Sequence, residues 1–275
     1  MRVAIQGEPG SFSEQAAIQF FGACEIVPCR WFSDAFEAIL TGRADCGVIP
    51  IENSQAGSIN DTYDLLLQHD LPIAGEVDLP VRHCLLALPG VALGQIRKVY
   101  SHPQALAQCD AFISRLGAEQ IATQDTAGSA RLVAEHGWRD AAAIAGARAG
   151  PLYGLSVLAE GIQTNANNRT RFVVLTPEPE ALQPSRGDYY KTSIVFVTPN
   201  VPGSLYGCLG ALATRHINLV KLESRPYRPK PWDYVFYVDF DGNVADANIR
   251  EAMDDLKMRA EFLKILGSYP RATPA

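Results

Sequence analysis

The sequence predicts an α/β protein of two domains: a larger one built as two successive α/β lobes facing a cleft, and a smaller βαββαβ unit joined to it by a linker. Three observations carry this. From residue 2 to about residue 176, short β-branched and apolar runs alternate with segments of helical period, the pattern of βα units forming a mostly parallel sheet. Polar residues gather where these strands end, and ligands of open α/β sheets bind in crevices outside strand ends. The stretch 176–188 is rich in proline and polar residues, as a domain boundary would be. A length of 275 residues is also more than one domain of ~100–200 residues uses.

Composition narrows the class. With 47% hydrophobic and 20% charged residues, the chain has an ordinary globular composition. No apolar run approaches the ~20 residues of a membrane-spanning helix, so no membrane partner is expected. Met1-Arg2-Val3-Ala4-Ile5-Gln6 lacks the apolar core of a secretory signal, and a cytoplasmic address is expected. The 24 basic against 30 acidic residues give a net charge of -6, which argues against a nucleic-acid binder that tracks phosphates. Cys24, Cys29, Cys46, Cys84, Cys109 and Cys208 form no CxxC pair and are expected to be reduced core thiols.

Taken in order, a strand over 2–6 leads into Gly7-Glu8-Pro9-Gly10, and Ser11 with Glu14 has capping-box spacing for a helix through Phe20 and Phe21. Glycines before such a helix are either a plain βα turn or a way to face backbone N–H groups toward an anion. A second βα unit spans 25–29 and 33–40, and a third strand, 46–51, runs into Glu52-Asn53-Ser54. The pattern restarts near Leu79, with a strand over 81–88 that contains His83, a core or hinge histidine. A short strand, Val99-Tyr100, ends in Ser101-His102-Pro103, where Pro103 suits the first turn of a helix carrying Leu106, Cys109, Phe112, Ile113 and Leu116 inward. Strand 119–123 ends in Asp125-Thr126-Ala127, and strands over 142–145 and 155–158 follow.

The segment Asn165-Ala166-Asn167-Asn168-Arg169-Thr170-Arg171-Phe172 then feeds the run Val173-Val174-Leu175. Alone it reads either as an Asn-rich turn or as amides, guanidiniums and a hydroxyl converging on a ligand. The strand over 171–176 is expected to cross back to the first lobe and make a hinge.

Five motifs in this order, Gly10-Ser11-Phe12-Ser13-Glu14, Pro50-Ile51-Glu52-Asn53-Ser54, Ser101-His102-Pro103-Gln104-Ala105, Asp125-Thr126-Ala127 and Thr170-Arg171-Phe172, resemble the catalytic domain of prephenate dehydratase, over residues 2–178. The resemblance implies a bilobal fold similar to type II periplasmic solute-binding proteins. It also implies loss of carbon dioxide and hydroxide from prephenate to give phenylpyruvate. Thr170 then matches the residue tied to the leaving hydroxyl, with Arg171, Phe172, His102, Ser101, Asn53, Ser54 and Glu52 as the catalytic set. Ser11, Gln104, Thr126 and Ala127 complete the substrate-binding set.

Prephenate carries two carboxylates and a C4 hydroxyl, so its enzyme must hold two anions and assist one departing oxygen. Arginine, asparagine, serine and helix N-termini suit the first task. An alkyl hydroxyl is a poor acid, so Thr170 reads as a positioned donor or as a relay from another acid. His102 is a candidate for that acid, or else bonds a backbone carbonyl before its helix. Glu52, which would repel a dianion, reads as a partner of neighbouring backbone.

Beyond the linker, a strand over 191–198, a helix over 202–215, strands over 217–224 and 233–240, a helix over 245–258 and a strand over 261–267 give the βαββαβ order of a ferredoxin-like fold. Gly203-Ser204-Leu205 and Glu223-Ser224-Arg225-Pro226 resemble two motifs of the ACT regulatory domain fused to prephenate dehydratases. The first more often reads Gly-Ala-Leu there, with Ser204 here in the alanine's place. By that resemblance L-phenylalanine binds between two such domains and inhibits, using Gly203, Ser204, Leu205, Asn218, Leu219, Glu223, Ser224, Arg225 and Pro226.

A ferredoxin-like sheet has edges and one open face, so a homodimer or homotetramer is expected. Arogenate, with an amine in place of the keto group, is the alternative substrate, and a non-catalytic amino-acid sensor is the other reading. No metal or organic cofactor is indicated. No long helical segment precedes the first strand, so a fused chorismate mutase, common in some relatives, is not expected.

Overall fold

The computed structural model of the chain describes residues 1–182 and 189–272, so the end of the predicted linker, 183–188, lies outside the described residues. Contact density divides the chain into two compact units. Among the described residues, the first joins Met1–Thr62 with Val77–Phe172, and the second joins Tyr63–Glu76 with those between Val173 and Ala272.

The first lobe runs through β1 (Arg2–Gln6), α1 (Phe12–Phe21), β2 (Glu25–Cys29), α2 (Phe32–Leu40), β3 (Cys46–Asn53), β4 (Gly57–Ser58), α3 (Asn60–Gln68) and β5 (Ile73–Pro80). The second holds β6 (Cys84–Ala87), β7 (Lys98–Ser101), α4 (Pro103–Gln108), α5 (Asp110–Leu116), β8 (Glu119–Ala122), α6 (Thr126–His136), β9 (Ala141–Ala145), α7 (Ala149–Leu152) and β10 (Ser156–Glu160). β11 (Arg169–Leu175) then returns to the first sheet, whose order is β2-β1-β3-β11-β5 with β4 beside β3. The second sheet reads β10-β6-β9-β7-β8. β1 lies parallel to β2 and β3, and β7 lies parallel to β8 and β9, as βα repeats require.

Strand alternation sorts the second lobe's core into two layers. Leu85, Ala87, Ala142 and Ile144 pack to one side with α4 and α5, while Cys84, Leu86, Ala141, Ala143 and Ala145 pack to the other with α6. Both faces are covered, which is why β9 is an uninterrupted apolar run rather than an alternating one. All six cysteines are free, and burial pushes the Cys46 and Cys109 thiols up to about 12. No helix among the described residues is long and apolar enough to cross a membrane.

Three features differ from the sequence reading; the strand expected over 81–88 is only β6, so His83 lies before it rather than within it. The single helix expected after Pro103 is two, broken at Cys109 (φ −108°, ψ 9°). The break turns out the carbonyl of Gln108, which accepts from the Thr164 N–H at 2.9 Å instead of continuing a helix ladder. In addition, α3 and β5, which the reading passed over, carry a stretch of the second unit.

That unit contains α8 (Pro179–Leu182), β12 (Tyr190–Val197), α9 (Ser204–Ala213), β13 (Leu219–Pro226), β14 (Tyr234–Asp241), α10 (Ala247–Arg259) and β15 (Phe262–Pro270). Its antiparallel sheet, β13-β14-β12-β15, is the ferredoxin-like βαββαβ arrangement. α9 and α10 cover one face through Ile194, Phe196, Leu212, Val238, Phe240 and Leu256.

The other face is not open as expected; Tyr63–Glu76 of the same chain lies on it. Tyr237 Oη donates to the Tyr63 carbonyl at 3.1 Å, and Lys264 Nζ donates to the carbonyls of Leu66, Leu67 and His69. A side chain at Gly267 would collide with the Ile73 carbonyl, so glycine is needed there for close approach. Beneath this cover, Lys191 Nζ bridges both Glu76 oxygens at 2.9 and 2.8 Å, and Ser193 bonds Asp239 and Tyr269.

Candidate functional site

Three of the first unit's predicted residues, Asn53, Ser54 and Thr170, meet where β3 ends beside the start of β11. Asn53, at the end of β3, accepts the N–H groups of Gln55 and Ala56 on Oδ1, both at 3.0 Å. Backbone N–H groups can only donate, so the orientation of this amide is fixed and its nitrogen faces β11. Asn53 Nδ2 donates to Thr170 Oγ1 at 2.9 Å, to Asn168 Oδ1 at 2.8 Å and to the Arg169 carbonyl at 3.1 Å. Asn168 in turn gives Nδ2 to Gln108 Oε1 at 3.0 Å, and the same oxygen meets His83 Nε2 at 2.9 Å.

Thr170 is buried, at 9% exposure, and its oxygen is already an acceptor. Its proton is therefore the part of the group left to act outward. Ser54 closes the junction: its N–H bonds the Arg169 carbonyl and its Oγ accepts the Arg169 N–H, both at 2.9 Å.

Strand alternation separates the Thr-Arg-Phe residues. Thr170 and Phe172 lie on one face of β11 with Asn53, whereas Arg171 lies on the other, paired with Glu52 at 3.1 Å. Glu52, expected to hold neighbouring backbone, therefore has a cation as partner, and Arg171 is not placed beside the Thr170 hydroxyl. Phe172 is core.

The remaining predicted residues are held by partners outside this junction. Ser101 is fully buried and donates to the Ile144 carbonyl at 2.6 Å. His102 caps α4; its Nδ1 accepts the Gln104 N–H at 3.2 Å, not the bond to a carbonyl that the sequence reading allowed. Burial pushes the His102 imidazole below its usual range, against the pull of Asp125. Asp125 caps α6 by accepting the Gly128 N–H, and burial pushes its carboxyl up. Thr126 and Ala127 open that helix, with Ala127 buried.

Ser11 caps α1 through the Glu14 N–H, while Glu14 reaches the Gly10 N–H at 2.6 Å. One donor expected for an anion thus serves the chain itself. The same β1–α1 loop meets the second lobe. Glu8 forms a fork with Arg131 at 2.6 and 2.7 Å, the Pro9 carbonyl accepts from Tyr153, and Gly10 (φ +86°) lies so close to α7 that a Cβ would touch Ala149. Among the described residues no group of three His, Cys, Asp or Glu side chains is placed to hold a metal ion.

Three members of the network were not singled out as site residues: Gln108, Asn168 and His83. Asn168 stood inside the polar cluster that was noticed, but Gln108 carries no motif and joins the site through the α4–α5 break.

In the second unit the predicted effector residues divide. Gly203, Ser204 and Leu205, with Thr198, Asn200, Tyr234 and Phe236, line a cavity of about 280 Å³ at the start of α9. Asn218 and Leu219 sit at the far end of β13, roughly 25 Å away at ~3.3 Å per residue. There Asn218 donates to Asp241 at 3.0 Å. Ser224 and Pro226 pair with Phe236 and Tyr234, near the cavity. Arg225 points to Asp64 at 2.7 Å, and Glu223 pairs with Lys221 at 3.1 Å. One chain does not gather this set around one ligand.

A family model for prephenate dehydratase matches residues 3–180. Arogenate dehydratase 1 of Petunia hybrida is 48% identical over 286 residues, which cover 98% of this chain and 67% of that protein. Among solved structures, prephenate dehydratase from Arthrobacter aurescens in complex with L-Phe is similar at a TM-score of 0.89 and 33% identity, covering 100% of this chain and 92% of that one. A chain described as GqqA, a novel type of quorum quenching acylase, is similar at 0.91 and 36%, covering 100% and 99%.

The expected cytoplasmic address does not stand. Arabidopsis thaliana relatives 44–47% identical to this chain are named as chloroplastic proteins. Organelle transit segments are amphipathic rather than apolar, so the lack of an apolar leader never bore on that question. The family match spans both lobes and every residue bonded around Thr170, and the chain belongs to the prephenate dehydratase family of lyases.

Proposed function

We propose that this chain carries out the decarboxylative dehydration of prephenate to phenylpyruvate, with Thr170 as the donor to the departing hydroxyl. One observation supports it most: a buried hydroxyl whose oxygen accepts from Asn53 and whose proton has no acceptor among the described residues. As the ring carboxylate leaves as carbon dioxide, its bonding electrons enter the ring and expel the C4 oxygen as hydroxide. A donor placed at that oxygen stabilises charge that exists only as the bond breaks, so it raises rate rather than affinity. Thr170 is a poor acid, and its role is hydrogen bonding while the hydroxide takes up a proton from solvent or from His102.

Arogenate is the second substrate reading, favoured by the names of the plant relatives. Glu52 gives it no support, because its carboxylate already faces Arg171.

The βαββαβ unit is proposed as an ACT domain that binds L-phenylalanine in the cavity at Gly203–Leu205. The N-terminus of α9 would face the carboxylate of that ligand. β13 is an edge strand with Val220 and Leu222 exposed. Pairing two copies along this edge about a two-fold axis brings Asn218 of one toward Gly203–Leu205 of the other, which supports a homodimer, or a tetramer of two such pairs.

Product formation from prephenate and from arogenate, each with and without L-phenylalanine, tests the reading. Phenylpyruvate suppressed by L-phenylalanine is expected. Phenylalanine formed from arogenate alone moves the substrate assignment, and no product from either refutes it. Light scattering at the monomer mass of 29.9 kDa, with and without L-phenylalanine, refutes the pairing.

A further inference from the structure

The bonds around Asn53 determine the protonation pattern of a residue that none of the motifs contains. Asn53 Oδ1 accepts two backbone N–H groups, so its Nδ2 must face Asn168, and Asn168 must answer with its oxygen. Asn168 therefore turns its nitrogen to Gln108, which must present its carbonyl oxygen. A carbonyl oxygen can only accept, so His83 must donate to it from Nε2. The tautomer of His83 follows, link by link, from two peptide N–H groups on the loop after β3.

We propose that His83 is a positioning residue: its Nε2–H holds the Gln108 carbonyl inside the network, so that the Gln108 amide nitrogen, with both its protons, is turned out as a second neutral donor beside Thr170. The proposal rests on the dehydratase reading and adds to it a group that orients the site without touching substrate. The ring is held for this task. It is 3% exposed, its backbone N–H is fixed on Gln163 at 3.0 Å, and Phe12 packs against it with ring centroids 5.5 Å apart and planes at 84°. None of these neighbours is charged.

Nδ1 is buried without a hydrogen-bond partner. A proton taken up there would be a buried charge without a counter-ion, so burial holds the imidazole neutral and pushes it below its usual range. The donor Nε2–H is present in either protonation state, so the role has no titration of its own. This separates it from an acid that passes its proton to the leaving oxygen.

The test compares His83→Leu with His83→Gln in steady-state kinetics, pH–rate profiles and thermal unfolding. Leucine fills the space without a donor, while glutamine can still present an N–H. His83→Leu is expected to lower kcat about tenfold with the chain still folded, the loss of one orienting hydrogen bond. His83→Gln is expected to recover most of that rate, with a pH–rate profile superimposable on the parent's. Full kcat in His83→Leu, equal losses in both variants, or an acid limb that disappears in His83→Gln would overturn the proposal. A 15N spectrum of the imidazoles checks the tautomer apart from activity: protonated Nε2 with bare Nδ1 is expected, and the reverse sinks the assignment. An inactive parent enzyme whose His83 still shows this tautomer would refute the dehydratase reading and leave the derived network standing.

Discussion

The chain buries two polar networks, and they differ in one respect. Under the second unit's sheet, Lys191 faces both oxygens of Glu76 with side chains 8% and 2% exposed, and the Ala272 N–H adds a third bond. Ser193, Asp239 and Tyr269 complete that layer. The network is charged, with its cation and carboxylate facing each other. At the β3–β11 junction the members are neutral, and two donor groups, the Thr170 hydroxyl and the Gln108 amide, have protons the network does not use. Paired charge holds structure, whereas neutral donors with protons to spare are what a reaction that expels an anion requires.

The comparison can be broken from either side. Lys191→Met removes the ammonium that faces both oxygens of buried Glu76 and is expected to cost about 3–5 kcal/mol in denaturant unfolding. Lys191→Met with Glu76→Leu should recover most of that loss, because two apolar groups leave no charge stranded. A mild single-variant loss would mean that Glu76 does not depend on Lys191 for its burial. Thr170→Val should do the opposite, leaving stability nearly unchanged and lowering kcat by about 10²–10³, the scale of one transition-state donor. Thr170→Ser, which keeps the hydroxyl, should retain much of the rate. Near-normal turnover in Thr170→Val would remove the distinction between the networks.

Much of this was legible in the sequence, and the limit has a physical cause. The βα alternation, the return of β11 to the first sheet and the βαββαβ order all rest on local periodicity, which a sequence displays. Asn53, Ser54 and Thr170 announced themselves as polar residues at strand ends. Gln108 did not, because its place depends on a helix break and on partners 25 and 60 residues away. The segment 63–76 was missed for a similar reason. The sequence assigns it no element, and only the tertiary structure shows that it covers a sheet formed more than a hundred residues later. Arg225 was read as an effector ligand from a motif, yet its strand register turns it to the face where Asp64 lies.

That contact gives the next prediction. Asp64 holds Arg225 at 2.7 Å and Arg228 at 3.0 Å, and it lies on α3 two residues after Thr62, whose hydroxyl donates to the Pro50 carbonyl just before Glu52 and Asn53. Asp64 thus ties α3 to the proposed effector strand. Asp64→Asn should preserve turnover in the absence of L-phenylalanine and raise the concentration needed for inhibition at least fivefold, the lower end of ordinary coupling energies. Unchanged inhibition would leave Arg225 with a purely structural contact.

The smallest expected effect concerns pH and arises on the neutral side of the comparison. Burial depresses the folded-state pKa of His83, while the unfolded chain titrates near ~6.5. Between those two values the unfolded chain binds more protons, so stability should fall as pH is lowered through that window and stay flat above it. The slope from one such group is at most about 1.4 kcal/mol per pH unit. His102 has the same sign, depressed by burial, and Asp125 the opposite one, raised by burial at lower pH. Denaturant midpoints at pH 7.5 and 5.5 should therefore lie closer together in His83→Gln than in the parent, with His102 supplying the drop that remains. Equal drops in the two proteins would mean that His83 reaches a counter-ion or water when protonated, and that this network is less dry than the one beneath the second unit's sheet.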